Sequence, residues 1–194
     1  MKRSLPVVWV EFTTHDDGPL IAGRRAGNGP PVLLLHGGPG LGFDYLRELA
    51  DELAQENDVA WYQQRGLEPS ATERPYTVAT DVGDARRVLD ALGWQRAYVV
   101  GHSWGGQLAL HVAEAMPERL LGVLAVDPLG PVGDGRWPEF DEEIFRRTPE
   151  AVRARAREID ELRTAGGADD KLALEGMRIV WSAYFADPER PPDA

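Results

Sequence analysis

The decapeptide Tyr98 to Gln107, YVVGHSWGGQ, decides how this chain folds. It runs from an apolar, β-branched segment through a short turn carrying Ser103 into a helix that opens at the paired glycines Gly105 and Gly106. The turn reads G-x-S-x-G as Gly101-His102-Ser103-Trp104-Gly105. A serine on a tight strand-to-helix turn takes a strained backbone conformation, which only very small residues two positions to either side allow. The strain lifts the hydroxyl out of the fold. The helix behind it presents its N-terminal N–H groups to negative charge forming near the serine. Ser103 is therefore the candidate nucleophile. The competing reading is a glycine-rich turn that cradles phosphate, but the lysine and further glycine of a P-loop are lacking.

Working outward, the neighbouring segments alternate strand and helix. Val7 to Thr14 and Leu20 to Arg24 flank the turn signal Asp16-Asp17-Gly18-Pro19 and predict an opening antiparallel hairpin. Pro31 to Leu35 is a continuous apolar run, typical of a strand buried on both faces, and ends in His36-Gly37-Gly38-Pro39-Gly40. Phe43 to Gln55 places Leu46, Leu49, Ala50 and Leu53 on one helical face. Val59 to Tyr62 predicts a strand, Thr77 to Leu92 a helix stopped by Gly93, and Leu121 to Val126 another apolar strand. This order implies a mostly parallel sheet with helices on both faces and ligands at the carboxyl ends of its strands, where Ser103 and the loop after Leu35 both sit.

Beyond Pro128 the character changes. Gly130 to Gly135 reads as a loop, and from Pro138 the pattern is charged and helical. Thr148 and Pro149 read as the cap and first-turn residue of a helix with the stripe Val152, Ala156, Ile159 and Leu162, and a further helix starts at Asp169. Its Met177, Val180, Trp181 and Tyr184 read as packing residues rather than ligand contacts.

Composition bounds the function. The net charge of -11 argues against nucleic acid or an anionic membrane as partner. With no cysteine and four dispersed histidines, neither a disulfide framework nor a metal site is expected, and no cofactor is implied. No signal-peptide core or membrane-length run occurs, so the expected location is cytoplasmic.

His36-Gly37-Gly38-Pro39-Gly40, Gln64-Arg65-Gly66 and Gly101-His102-Ser103-Trp104-Gly105-Gly106 together resemble the α/β-hydrolase fold and, within it, the proline iminopeptidase group of serine aminopeptidases. The resemblance implies residues 1–129 as the N-terminal part of the core and 130–194 as a partial helical cap, with the family's later strands missing. It also implies that Ser103 attacks a carbonyl of a peptide or small amide or ester, with the oxyanion held by the backbone N–H groups of Gly38 and Trp104. His36, Gly37 and Arg65 become supporting residues of the loop beside that site. Gln63 stands where the family has Asp, so Arg65 is expected to act through fewer ionic contacts.

No triad histidine is identifiable. His36 belongs to the oxyanion motif, His102 points away from its neighbour Ser103, and His111 lies about 12 Å down the helix. Asp127, after the Leu121 to Val126 strand, is a candidate acid, with local backbone capping as its alternative role. The isolated chain is therefore expected to be nearly inert. Without later strands, Leu121 to Val126 would lie at an open edge and the chain should self-associate. Two other classes stay in view. One is a binding module that keeps the pocket without the triad. The other is a nucleotide site at Gly38 to Gly42, disfavoured because Pro39 removes an N–H and no ribose-binding acid ends the next strand.

Overall fold

The computed structural model describes residues 6–38, 42–128, 137–167, 169–185 and 187–190. The chain divides into two compact units, residues 1–134 and 135–194. The loop expected at 130–135, and Pro39 and Gly40 of the glycine-rich loop, lie outside the described residues.

The first unit is a six-stranded sheet ordered β1-β2-β4-β3-β5-β6. β1 (Val10–Thr13) and β2 (Ala22–Gly27) form the expected hairpin, and β2 runs antiparallel to β4 (Asp58–Tyr62). β4, β3 (Pro31–Leu35), β5 (Ala97–His102) and β6 (Leu120–Val126) are mutually parallel. Side chains alternate across a strand, so each apolar run feeds two cores. Leu33, Leu35, Ala60, Tyr62, Ala97 and Val99 pack with α2 (Val78–Ala91) and α3 (Trp104–Ala115). Val32, Leu34, Val59 and Trp61 pack on the other face with the segment that reads as one helix in the sequence. That segment starts as a 3-10 turn, Phe43–Leu46, before α1 (Arg47–Leu53). Thr77 caps α2, its hydroxyl accepting from the Thr80 amide at 3.2 Å.

The second unit holds α4 (Trp137–Arg147), α5 (Glu150–Thr164) and α6 (Asp170–Val180). Ala156 and Ile159 are buried, whereas Leu162 at the end of the same stripe is exposed. Asp169 caps α6 by accepting from the Leu172 amide at 2.8 Å. The reading of Thr148 as cap of α5 is corrected. Its hydroxyl donates to the Ile144 carbonyl at 2.8 Å, so it closes α4, and Pro149 takes the capping position of α5. A threonine between two helices can serve either side, and here the orphan carbonyl behind it wins.

An acidic pair sits on α2. Asp84 is buried between Arg65 and Arg87, and beside it burial first and the Asp84 charge second raise Asp81 from 3.8 to about 6, with Arg65 opposing. Because the folded value lies above the unfolded one, the native state binds this proton more tightly. The contribution to stability is complete below pH 3.8 and is lost as pH rises through about 6. Asp81→Asn is thus expected to be more stable than the parent at neutral pH and equal to it in acid. The gain should be about 1 kcal/mol, since Asp81 is only half-buried and water screens it. Urea unfolding between about pH 4 and pH 8 measures this, and a difference that does not grow with pH would refute it.

Candidate active site

Ser103 joins β5 to α3 with φ 54 and ψ -120, a left-handed conformation that a residue with a side chain rarely adopts. Two contacts hold it there. Its amide donates to the Val126 carbonyl at 2.9 Å, and its carbonyl accepts from the Gln107 amide at 3.0 Å. The motif glycines are sterically required. A Cβ on Gly101 would stand 2.0 Å from the Gly105 carbonyl oxygen, and one on Gly105 would stand 2.1 Å from that of Leu35. β5, α3 and the end of β3 therefore cross at backbone contact, which brings the loop after Leu35 against Ser103. The position of a Gly37 Cβ lies 3.0 Å from both Ser103 Cβ and the Tyr45 hydroxyl.

His36 is buried and serves that loop. The Gln64 amide can only donate, and it reaches His36 Nε2 at 2.9 Å, so Nε2 is the unprotonated nitrogen. Nδ1 then carries the proton and faces the Gly37 carbonyl at 3.0 Å. Burial lowers the pKa of this imidazole, which stays neutral. With both nitrogens engaged, His36 has no capacity left to take a proton from Ser103. The Gln64 side chain donates to the His36 carbonyl at 2.7 Å and accepts from Trp104 Nε1 at 2.9 Å, tying the loop to the first residue of α3.

Gly38, the residue after Gly37, has φ 58, a conformation suited to glycine. The first amides of α3, Trp104 among them, have no helical carbonyl before them to bond. Arg65 anchors the loop beside the site from its far side. Its guanidinium makes a two-point pair with Asp84, at 2.9 and 2.7 Å, so it locks the segment after β4 to α2. Gln63 orders the same loop locally: its side-chain Oε1 accepts from the Phe43 amide at 3.2 Å, and its Nε2 lies 3.3 Å from His36 Nε2.

Tyr45 is a site residue that the sequence did not reveal. Its hydroxyl accepts from the Gly37 amide at 2.5 Å and lies 2.9 Å from His102 Nδ1. His102 is thereby held by Tyr45 through Nδ1. His111 lies further along α3, and Asp127 is exposed just past β6 with φ 47. Among the described residues, no hydrogen bond to the Ser103 hydroxyl is formed and no group of side chains has metal-holding geometry. Nor is any helix among them long and apolar enough to cross a membrane.

The match to known proteins follows this geometry. Residues 30–179 match the family described as the alpha/beta hydrolase fold. The chain belongs to the α/β-hydrolase family. It is 30% identical over 165 residues to a proline iminopeptidase of Lactobacillus delbrueckii subsp. bulgaricus, covering 81% of this chain and 52% of that protein. It is also 30% identical over 130 residues to epoxide hydrolase B of Mycobacterium tuberculosis, covering 60% of this chain and 36% of the relative. Among solved structures, proline iminopeptidase of Mycobacterium smegmatis superposes with a TM-score of 0.63 at 26% identity, over 87% of this chain and 59% of that one. The chain spans about half the length of the curated Lactobacillus delbrueckii proline iminopeptidases it matches.

Proposed function

We propose that this α/β-hydrolase chain carries the nucleophile and oxyanion half of a serine hydrolase of the proline iminopeptidase kind. The Ser103 hydroxyl adds to the carbonyl of an N-terminal residue or of a small amide or ester. The oxyanion faces the amides of Gly38 and Trp104, the amine or alcohol departs, and water releases the acyl group from Ser103. The observation that carries this reading is the φ 54, ψ -120 conformation of Ser103 between two glycines that tolerate no Cβ. A serine held in strain with a free hydroxyl is what acyl transfer requires, and it has no evident use in a packing role. Proline iminopeptidase relatives and the Gly37-Gly38 loop favour the aminopeptidase branch. The epoxide hydrolase relatives favour the same fold, but an epoxide opening of that kind would place a carboxylate where Ser103 stands.

The described residues place no general base on the Ser103 hydroxyl: both ring nitrogens of His36 are engaged, and His102 meets Tyr45 rather than the serine. Added imidazole can stand in for such a base. Incubation with a 4-nitrophenyl ester and imidazole is expected to build an acyl adduct on Ser103, visible by mass spectrometry and lost in Ser103→Ala. A folded chain that acquires no adduct there would leave the binding-module reading standing. A second readout needs no chemistry: Ser103→Gly relieves the backbone strain and is expected to raise stability by about 1 kcal/mol, with the nucleophile gone.

A further inference from the structure

Ser103 stands between His102 and Trp104, and each neighbour is tied to the loop after β3 by a side chain from a third segment. Gln64, buried just past β4, does this for Trp104. Trp104 Nε1 can only donate, so the Gln64 side-chain oxygen faces it at 2.9 Å, and the side-chain nitrogen faces the His36 carbonyl, which can only accept, at 2.7 Å. The partners thus fix which way the amide points. Tyr45, in the turn Phe43–Leu46, does the same for His102: its hydroxyl accepts from the Gly37 amide and meets His102 Nδ1 at 2.9 Å. One bridge grips His36 and the other Gly37, the two residues before Gly38. The need for them follows from the sheet. β3 and β5 are paired as far as Leu35 and Gly101, and there the ladder ends, yet the amides of Gly38 and Trp104 beyond it have to converge on one oxygen.

We infer that Gln64 and Tyr45 are positioning residues, which hold the Gly38 and Trp104 amides at the separation that a tetrahedral oxyanion requires. This deepens the serine-hydrolase reading above and rests on it. A glutamine amide is one rigid plane with donors at one end and an acceptor at the other, so bonded at both ends it sets a distance rather than only filling space. Gln64 also grips His36 a second time, its main-chain amide donating to His36 Nε2 at 2.9 Å. The imidazole and the carbonyl of one loop residue are therefore both fixed to it. Tyr45 works from the other side and independently: its contacts are Gly37 and His102, neither of which Gln64 touches through the bonds just named. The place where the bridges act is crowded. The position of a Gly37 Cβ lies 3.0 Å from both the Tyr45 hydroxyl and Ser103 Cβ, so that hydroxyl stands at most twice this distance from the nucleophile's side chain. A donor displaced by about 1 Å costs up to about a hundredfold in rate, so losing one bridge while the other holds is expected to cost about tenfold.

The test compares imidazole-assisted acylation of Ser103 by a 4-nitrophenyl ester and by its thionoester, in which sulfur replaces the carbonyl oxygen. In both, the serine oxygen bonds to the acyl carbon, imidazole takes the serine proton and 4-nitrophenolate leaves. Sulfur accepts N–H bonds weakly, so the oxo-to-thiono rate ratio, set against that of the same esters without protein, reports on the two amides and not on the amount of folded chain. The parent ratio is expected to exceed the protein-free one. Gln64→Leu and Trp104→Phe should each lower the oxo rate by about tenfold and draw the ratio toward the protein-free value. The double variant should be no slower than either, because both changes break the same bridge. Trp104→Phe keeps the main-chain amide at a half-buried position, which guards against a Gln64 variant that fails to fold. Tyr45→Phe should have a similar effect and multiply with Gln64→Leu to about a hundredfold. Variants that slow both esters equally, at the parent ratio, would leave the two side chains as packing and overturn the inference. Losses that multiply between Gln64→Leu and Trp104→Phe would overturn the bridge between them. A parent that forms no adduct on Ser103, or reacts at the protein-free ratio, would overturn the serine-hydrolase reading together with this inference, whereas a parent that reacts as expected while its variants keep its ratio overturns the inference alone.

Discussion

Asp84→Ala is expected to cost about 3–5 kcal/mol of stability, because it removes one partner from a buried ion network and leaves the others unpaired. Asp84 and Arg65 have side-chain exposures of 3% and 6%, and their two-point contact is at 2.9 and 2.7 Å. Arg87 adds a third bond to Asp84 at 2.9 Å. Arg87 also holds Asp16 and the Pro19 carbonyl in the first hairpin, so it keeps partners when Asp84 is lost. Arg65 does not, and its desolvated guanidinium carries most of the penalty. Asp81 limits the damage: it already feels the Arg65 charge, is mostly ionised at neutral pH, and with the Asp84 charge gone serves as a replacement partner. The loss is therefore expected nearer about 3 than 5 kcal/mol in neutral solution and greater in acid, where Asp81 is protonated. Paired substitution by apolar residues, Arg65→Met with Asp84→Leu, should be far less destabilising than either alone. Equilibrium unfolding in urea measures each of these variants. A loss below about 1 kcal/mol for Asp84→Ala would mean that water reaches the network.

That network marks the limit of what the sequence discloses. The elbow, the four parallel strands and the helices α2 and α3 are legible because each depends on local features: an apolar run, a helical stripe, or a glycine at fixed distance from Ser103. The partners of Arg65 are not, because Asp84 lies 19 residues away and Asp16 joins only through Arg87, once strand order has folded the hairpin against α2. Tyr45 was hidden for a related reason. It precedes the apolar stripe of α1, and only the approach of β3 to β5 turns its hydroxyl toward Gly37 and His102. Gln63 reads in sequence as a departure from the family and proves in structure to be a neutral substitute that orders the same loop. The apolar run of β6 is visible in sequence as a strand, and the structure adds its place beside β5.

Gly105→Ala and Gly83→Ala make the same chemical change inside two helices of one sheet unit and are expected to move stability in opposite directions. Alanine is the better helix former by about 1 kcal/mol, so the substitution is favourable wherever there is room. At Gly83, in α2, a Cβ meets nothing within 4 Å, and the variant should gain about 0.5–1 kcal/mol. At Gly105 the new atom would stand 2.1 Å from the Leu35 carbonyl oxygen and 2.5 Å from that of His36. Both are backbone atoms at the end of β3, and no rotamer change can clear them. α3 must move away from the sheet, with a cost of about 3 kcal/mol or more that overrides the helical gain. The same movement separates the first amides of α3 from the Gly37-Gly38 loop, whose main chain supplies the other half of the proposed oxyanion site. Acyl transfer to Ser103 in the presence of imidazole should therefore fall in Gly105→Ala under conditions where the variant is still folded, and stay at the parent rate in Gly83→Ala. If urea unfolding found the two variants equally stable, the close crossing of β3, β5 and α3 would be wrong, and with it the steric reason for glycine beside the nucleophile.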